Sequence, residues 1–302
     1  MKTIAILIPV FNHIAFTRKC IQKLDQLLAH RSFNNCNYRV IVIDDGSTDG
    51  TSEWLNERHP EVVVLQGNGE LWWSGGINMG AEYAISELGV DYLLLWNNDI
   101  EPASDYFSQI DELLKSLGDQ TIAGSKILYD DQDQKNVIWS FGGFFNPKNG
   151  SKSMLAYNKP DSPEYDRPIE VDWLAGMGTL VPVNIVQEIG WWDADTFPQY
   201  HGDSDFTFRA KTAGYRICSF PQLKLWNDKT SSGLKHGGTL KGLSRALTDR
   251  RSNSNLKDNF RFYKRHSSSV LAYRALIAYY IIYFGGFCKW KLLSLFGVKK
   301  EK

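Results

Sequence analysis

The chain has 302 residues, 43% of them hydrophobic and 23% charged, a balance that supplies a sizeable core and excludes disordered and collagen-like chains. Lys plus Arg and Asp plus Glu both total 34, so net charge does not supply the basic face that non-specific nucleic-acid binding needs. The four cysteines, Cys20, Cys36, Cys218 and Cys288, stand far apart with no C-x-x-C pair, which argues for reduced thiols and against a zinc site or disulfide framework.

The opening MKTIAILIPVFN carries a short apolar run, Ile4 to Pro9, cut off by Asn12 and His13. It reads as a first strand covered on both faces and not as a secretory signal. Phe16, Cys20, Ile21, Leu24, Leu27 and Leu28 then fall at helical spacing. Arg39 to Asp44 reads as a second buried strand, followed by a Gly/Ser/Asp turn with Thr48 or Asp49 as the expected helix N-cap. Val62 to Gln66 is a third strand, Ile77 to Leu88 a helix and Tyr92 to Trp96 a fourth strand. Such alternation predicts right-handed crossovers and a largely parallel sheet. A helix over Tyr106 to Leu117 and a strand over Ile122 to Tyr129 follow. Asp130 to Arg167 is a polar excursion of small strands and loops. Val171 to Val183 returns to the core, a short helix ends at Gly190, and another spans Phe206 to Ala213.

One continuous globular unit is expected over residues 1–240, with a helical tail over 241–302. In that tail Arg245 to His266 is polar and basic, and Ala275 to Cys288 runs 14 residues without a charge. A bilayer span needs roughly 20 apolar residues. The expectation is peripheral docking on a membrane surface through Arg261, Lys264, Arg265, Lys289 and Lys291. The rival is a stripe of Leu276, Ile277, Tyr280, Ile281 and Phe284 packed on protein, within the chain or in a homo-oligomer.

Ligands of open parallel sheets bind beyond the carboxyl ends of the strands. Three such ends carry polar clusters here: Pro9-Val10-Phe11-Asn12, Asp44-Asp45-Gly46-Ser47 and Asn97-Asn98-Asp99. Each alone is ordinary turn chemistry; together they mark a crevice. Neither a P-loop nor a G-x-G-x-x-G fingerprint is present. A diphosphate would then be neutralised by a divalent cation on oxygen ligands, Mg²⁺ or Mn²⁺, with Asp99 well placed.

The motifs PVFN at 9–12, IDDGSTDGT at 43–51, GGINMG at 75–80 and LLWNNDIEP at 94–102 resemble family 2 of the inverting nucleotide-sugar glycosyltransferases. WSFGG at 139–143, DWLAGMGTLVP at 172–182, IGWWDADTF at 189–197 and HGDSDFTFRAKTAGYRI at 201–217 follow in the same order. The resemblance covers roughly residues 3–230, and the WNND form is most similar to the rhamnosyltransferase-like branch that builds bacterial surface polysaccharides. It implies an α/β chain of A-type glycosyltransferase fold, a Rossmann-like, mixed but mostly parallel sheet flanked by helices. By the same resemblance Pro9, Phe11 and Asn12 line a base pocket, Asp45 meets the edge of a uracil or thymine, and Asn78 and Asn98 belong to the nucleotide-sugar site. Asp99 is the metal ligand and Asp203 the catalytic base. Asn97 and Asn98 stand where many members carry acids, and Gly202 where a Glu usually precedes the base. The histidine that often completes the metal site falls near Asn227, with His236 nine residues on.

The chemistry needs no covalent nucleophile: one carboxylate takes the acceptor's proton, and cationic help meets the leaving diphosphate. The expected activity moves a sugar from a dTDP- or UDP-activated donor, dTDP-L-rhamnose first, to a cell-surface glycan or lipid-linked acceptor. The enzyme is expected in the cytoplasm, at the inner face of the membrane. A nucleotidyltransferase would carry a Gly-rich first loop with a basic residue, which PVFNHIAF lacks. A non-catalytic sugar-nucleotide-binding scaffold would draw support from the single acid of NND, against intact Asp45, Asp99 and Asp203.

Overall fold

The computed structural model describes residues 1–29, 35–131, 134, 136–227 and 239–295. It divides into two compact units, Met1–Phe144 with Met154–Ser231 and Phe145–Ser153 with Ser232–Lys302.

The first unit opens with the expected alternation: β1 (Lys2–Val10), α1 (Ile14–Ala29), β2 (Cys36–Asp44), α2 (Thr51–Arg58), β3 (Val63–Gln66), α3 (Trp72–Ser86) and β4 (Tyr92–Leu95). β5 (Ile100–Pro102), α4 (Tyr106–Leu113) and β6 (Thr121–Tyr129) follow. The polar excursion holds β7 (Ile138–Ser140) and a two-stranded ribbon of β8 (Gly143–Phe145) and β9 (Lys152–Met154). β10 (Ile169–Glu170), β11 (Thr179–Pro182), α5 (Val183–Ile189), α6 (Gly202–Thr212) and β12 (Arg216–Asn227) complete it.

The main sheet runs β10-β12-β6-β11-β4-β1-β2-β3, with β5 on β12 and β7 on β6. β1 pairs in parallel with β2 and β4, β2 with β3, and β6 with β12. β11 runs antiparallel between β4 and β6, so the sheet is mixed. Ile4 to Ile8 of β1 are all 0% exposed because both faces are covered. Side chains alternate between faces, so Ile4, Ile6 and Ile8 join Leu24 of α1 and Phe107 of α4, while Ala5 and Leu7 join Ile77 and Ala81 of α3. On that second face Gly80 lets α3 approach closely, since a Cβ there would stand 2.7 Å from Ile43 Cδ1.

Several boundaries differ from the sequence reading, the second unit beginning at Ser232 and taking in Phe145–Ser153 among them, and two bear on the site. The N-cap of α2 is Gly50, in the left-handed region at φ 85°, and not Thr48 or Asp49. Asp49 is engaged elsewhere: Oδ2 accepts the Ile14 N–H at 2.8 Å and Oδ1 the Thr51 hydroxyl at 2.6 Å. Helix α3 starts at Trp72, five residues before the apolar period becomes visible at Ile77, because the sheet edge organises that turn.

A lysine lies inside this unit. Lys126 of β6 is 0% exposed, with Nζ 2.6 Å from Asp161 and 3.2 Å from Asp166. Asp161 also receives Lys224 of β12 at 2.9 Å. A buried charge survives only when paired, and the pairing pins the polar excursion to β6 and β12.

The second unit holds α7 (Leu240–Thr248), α8 (Leu256–His266) and α9 (Tyr273–Leu295). Thr239 caps α7, and Asn255 caps α8 by accepting the N–H groups of Lys257 and Asp258. Phe145 meets Phe262 and Tyr263 edge-on at 5.3 and 5.5 Å, and Tyr263 Oη donates to the Gly150 carbonyl at 2.7 Å. That contact set is why residues 145–153 group with a segment a hundred residues later.

Candidate active site

The parallel strands end together, and backbone hydrogen bonds fix the loops that leave them. Asp45 N–H donates to the Val10 carbonyl, Gly67 N–H to that of Asp44, and Trp96 N–H to that of Leu7, at 2.9, 2.8 and 2.9 Å. Side chains then tie one loop to the next. Asn12 N–H donates to Ser47 Oγ at 2.7 Å, and Asn12 Oδ1 accepts the Thr48 N–H at 3.0 Å. Asp44, 1% exposed, accepts from Ser47 N–H at 2.9 Å and from the Ser52 hydroxyl. Of six non-glycine residues with positive φ among the described residues, Asn12, His13, Trp72 and His201 lie in the loops and helix starts at this edge. Such strain persists only where surrounding contacts over-determine it, and it concentrates at functional sites.

Asp45 organises the rim. Its Oδ1 accepts the Gly69 N–H at 2.8 Å, and its Oδ2 those of Leu71 and Trp72 at 2.9 and 3.0 Å. Gly67 leaves the room, since a Cβ there would stand 2.6 Å from Asp45 Oδ1. An amide cannot accept on all these sites, so Asp45→Asn is expected to cost about 1–3 kcal/mol of stability. Urea unfolding checks this; an unchanged midpoint would remove the rim role.

Asp203 lies in the first turn of α6, whose N-cap His201 sits at φ 68°. Asp203 Oδ2 accepts the Gly176 N–H at 2.9 Å and Oδ1 its neighbour's, Ser204, at 2.7 Å. Thr207 Oγ1 donates to the Asp203 carbonyl at 2.8 Å and accepts the Leu174 N–H at 3.1 Å, so the 174–176 segment is stitched to α6. The Trp73 indole packs on Gly176, where a Cβ would fall 2.2 Å from Cζ2. Trp73 Nε1 in turn donates to Asn97 Oδ1 at 3.2 Å. A chain of contacts therefore links the Asp203 carboxylate to the NND segment.

Gly202 has its own reason. A Cβ there would stand 2.1 Å from Ser74 Oγ, which donates to the Phe197 carbonyl at 2.6 Å. Asp205 is 0% exposed and paired with Arg209 Nε at 3.0 Å. Arg209 also donates to the Ile189 and Trp191 carbonyls. Asp205 is thus a structural acid. Tyr200 was not singled out from sequence, yet burial first and the Asp203 charge second raise its pKa. Its position three residues before Asp203 was the available signal.

The other end of the site is a pocket lined by Phe16, Lys19, Asn98, Asp99, Glu101 and Asp130. Burial pushes the Glu101 carboxyl up, but Lys19 at 3.0 Å and Lys23 at 3.3 Å outweigh it and hold it below the usual range. Cys20 is held as the neutral thiol, pushed up to about 12 by burial and further by the Asp99 charge. Asn98 Nδ2 donates to Thr17 Oγ1 at 3.1 Å. On the neighbouring strand Asn227 pairs in register with Ile100 and with Tyr129, and the Asp130 N–H donates to its carbonyl at 2.9 Å. Asn227 is 1% exposed, and neither its Oδ1 nor its Nδ2 has a hydrogen-bond partner among the described residues. Carboxylate oxygens beside an orphaned amide suit a hard cation. His236 lies outside the described residues.

The remaining sequence candidates separate. Pro9 stands behind Gly76, where a Cβ would come within 3.0 Å of it. Phe11 is 56% exposed at the rim, a flat apolar face available for stacking. Asn78 spends both amide atoms on the Trp192 backbone, at 2.7 and 3.1 Å, and so braces α3 against the segment before α6. His59 stands between Asp25 at 3.0 Å and Glu61 at 3.2 Å. This trio lies where α1 ends and β3 begins, at the sheet edge opposite Asp99.

The profile of glycosyl transferase family 2 matches residues 5–161. The chain belongs to that family. It is 23% identical over 177 residues to the low-salt glycan biosynthesis hexosyltransferase Agl10 of Haloferax volcanii, covering 59% of this chain and 54% of that protein. It is 25% identical over 206 residues to an undecaprenyl-phosphate mannosyltransferase of Micrococcus luteus, covering 65% and 76%. The chain thus spans about half the length of the first relative and three quarters of the second. Among solved structures it resembles GalNAc-T7 with UDP, GalNAc and Mn²⁺, at TM-score 0.56 and 13% identity over 93% of this chain and 57% of that one. TarS 1–349 of S. aureus gives TM-score 0.51 and 14% identity over 76% and 60%. The family 2 chain is a glycosyltransferase with the A-type fold.

Proposed function

We propose that this glycosyltransferase inverts the anomeric carbon of a dTDP- or UDP-activated sugar, dTDP-L-rhamnose first, in passing it to a growing surface polysaccharide or a lipid-linked acceptor. The observation that carries the reading is the Asp203 carboxylate, held by Gly176 N–H and joined through Trp73 to the NND segment. Asp203 takes the proton of an acceptor hydroxyl as its oxygen bonds to the anomeric carbon. The bond from that carbon to the diphosphate oxygen breaks on the opposite face, and the electron pair leaves with the nucleotide. Phe11 stacks on the base, and the Asp45 rim with Asn12 shapes its pocket. Asp99, with Asn227 beside it, would hold a divalent metal, Mn²⁺ or Mg²⁺, which when bound neutralises charge on the departing diphosphate. GalNAc-T7, of like fold, was solved with UDP and Mn²⁺, which supports this donor class. The undecaprenyl-phosphate relative supports a lipid-linked acceptor, which the enzyme would meet from the cytoplasm at the inner face of the membrane.

The test is thermal shift with UDP and dTDP, each with and without Mn²⁺. A ligand at 100-fold its Kd stabilises the folded state by about 2.7 kcal/mol, so a metal-dependent rise in Tm is expected with one of the two. Asp99→Ala should keep its fold and lose the metal-dependent part. A rise that Mn²⁺ does not change, or that survives in Asp99→Ala, would remove Asp99 from the metal role.

A further inference from the structure

Among the described residues helix α9 has little cover along most of its length. Tyr280 is buried, its Oη donating to the Ser254 and Asn255 carbonyls at 3.0 and 3.2 Å, and Leu276 is buried with it. Beyond Tyr280 most side chains are exposed, Tyr283 and Phe287 being half-buried. Ile281 is 65% exposed, Ile282 74% and Leu292 58%, with Phe284 and Trp290 also exposed. Val270–Leu293 passes for a membrane span by overall length and composition only, and of an 18-residue apolar window within it 17% is buried. Exposed apolar side chains surround this stretch except on the face that carries Leu276 and Tyr280. A surface helix of a soluble domain keeps a polar face towards water; a helix that is apolar all round is covered by protein or by lipid.

The charge of the surrounding segment selects the occupant. Between Leu240 and Leu293 there are eleven Lys or Arg and two acids, in a chain whose overall charge is zero. Lys257, Lys264, Arg265, Arg274 and Lys289 are exposed. A second copy of this segment would bring like charge against like charge, whereas an anionic lipid surface is complementary to it. Tyr279, Tyr283 and Trp290, amphipathic rings of the kind found at headgroup level, accompany the apolar residues. The 14 uncharged residues from Ala275 to Cys288 extend about 21 Å, short of the roughly 30 Å hydrocarbon core.

We infer that α9 is a monotopic membrane anchor, embedded along its bare length in one leaflet of an anionic bilayer, with flanking basic residues reaching back to the headgroups. The inference rests on α9 and its charge, independently of the donor reading.

The chain carries its own reporter. Cys288 is exposed on the bare stretch, while Cys20, Cys36 and Cys218 are buried. An environment-sensitive fluorophore on Cys288 should shift to the blue on phosphatidylglycerol vesicles, weakly on pure phosphatidylcholine, and less as salt rises. Replacing Ile281 and Ile282 together by Asp should lower partitioning by about a hundredfold, with far-UV circular dichroism unchanged because neither side chain is packed. An epitope appended after Lys302 should remain open to protease outside sealed vesicles. Unshifted emission on anionic vesicles overturns the inference. So does a protected epitope, which means a spanning helix, or a blue shift that grows with protein concentration without lipid, which means a second copy. Asp99→Ala should bind vesicles as the parent does, so docking and donor binding fail separately.

Discussion

Asp203→Asn should bind the nucleotide sugar as the parent protein does and transfer it about 10²–10⁴ times more slowly. The substitution keeps the shape of the side chain and an acceptor for the Gly176 N–H at 2.9 Å, giving up the bond from the Ser204 N–H, so the loss falls chiefly on proton transfer. Its signature is a drop in kcat with the donor dissociation constant unchanged in isothermal titration. Asp205→Asn provides the contrast. Asp205 is 0% exposed and bonded to Arg209, so that variant should lower Tm. Parental turnover in Asp203→Asn would remove the base from this position, and the buried Asp205 could not inherit the role.

Asp161→Ala should destabilise the protein by about 3–5 kcal/mol, because it leaves the charge of Lys126 inside with its nearest partner gone. Lys126 is 0% exposed and keeps only Asp166 at 3.2 Å. Adding Lys126→Met to that background should recover part of the loss, since a packed apolar chain needs no counter-ion. The pH dependence has a defined sign. Burial raises the Asp161 carboxyl, but hydrogen bonds and charge from Lys126 and Lys224 prevail and lower it below 3.8. Its contribution is therefore present at neutral pH and disappears as acid takes the medium through that lowered value. The gap between Asp161→Asn and the parent should close below about pH 4. Urea midpoints across pH test this, and a loss under about 1 kcal/mol at pH 7 would class the pair with exposed ion pairs.

The strands and their order along the first hundred residues were legible because continuous apolar runs and helical spacing encode covered strands and one-sided helices. Trp72 to Gly76 was not legible as helix. Its start depends on three N–H bonds to Asp45, more than twenty residues earlier. The Gly50 cap was missed for the same kind of reason, since Asp49 serves Ile14 across the crevice. At the site, the motifs located Asp45, Asp99 and Asp203 at one sheet edge. They did not disclose that Asn78 braces Trp192, that Gly202 makes room for Ser74 Oγ, or that Lys126 is buried behind the excursion. Those facts depend on pairs 35 to 128 positions apart, which no local spacing encodes.

The seat of Trp73 also bears on how the NND segment can change. Its indole N–H asks residue 97 only for an oxygen, at 3.2 Å, and an aspartate offers one as readily as an asparagine. Replacing Asn97 with Asp would add a second carboxylate to the NND segment without unseating the ring on Gly176. Alanine at 176 has no such latitude, because its methyl group would occupy the ring's place. The two positions thus differ sharply in evolvability: the charge of the NND segment can be tuned by one base change at codon 97, while the spacing between that segment and Asp203 is locked by a missing methyl at 176.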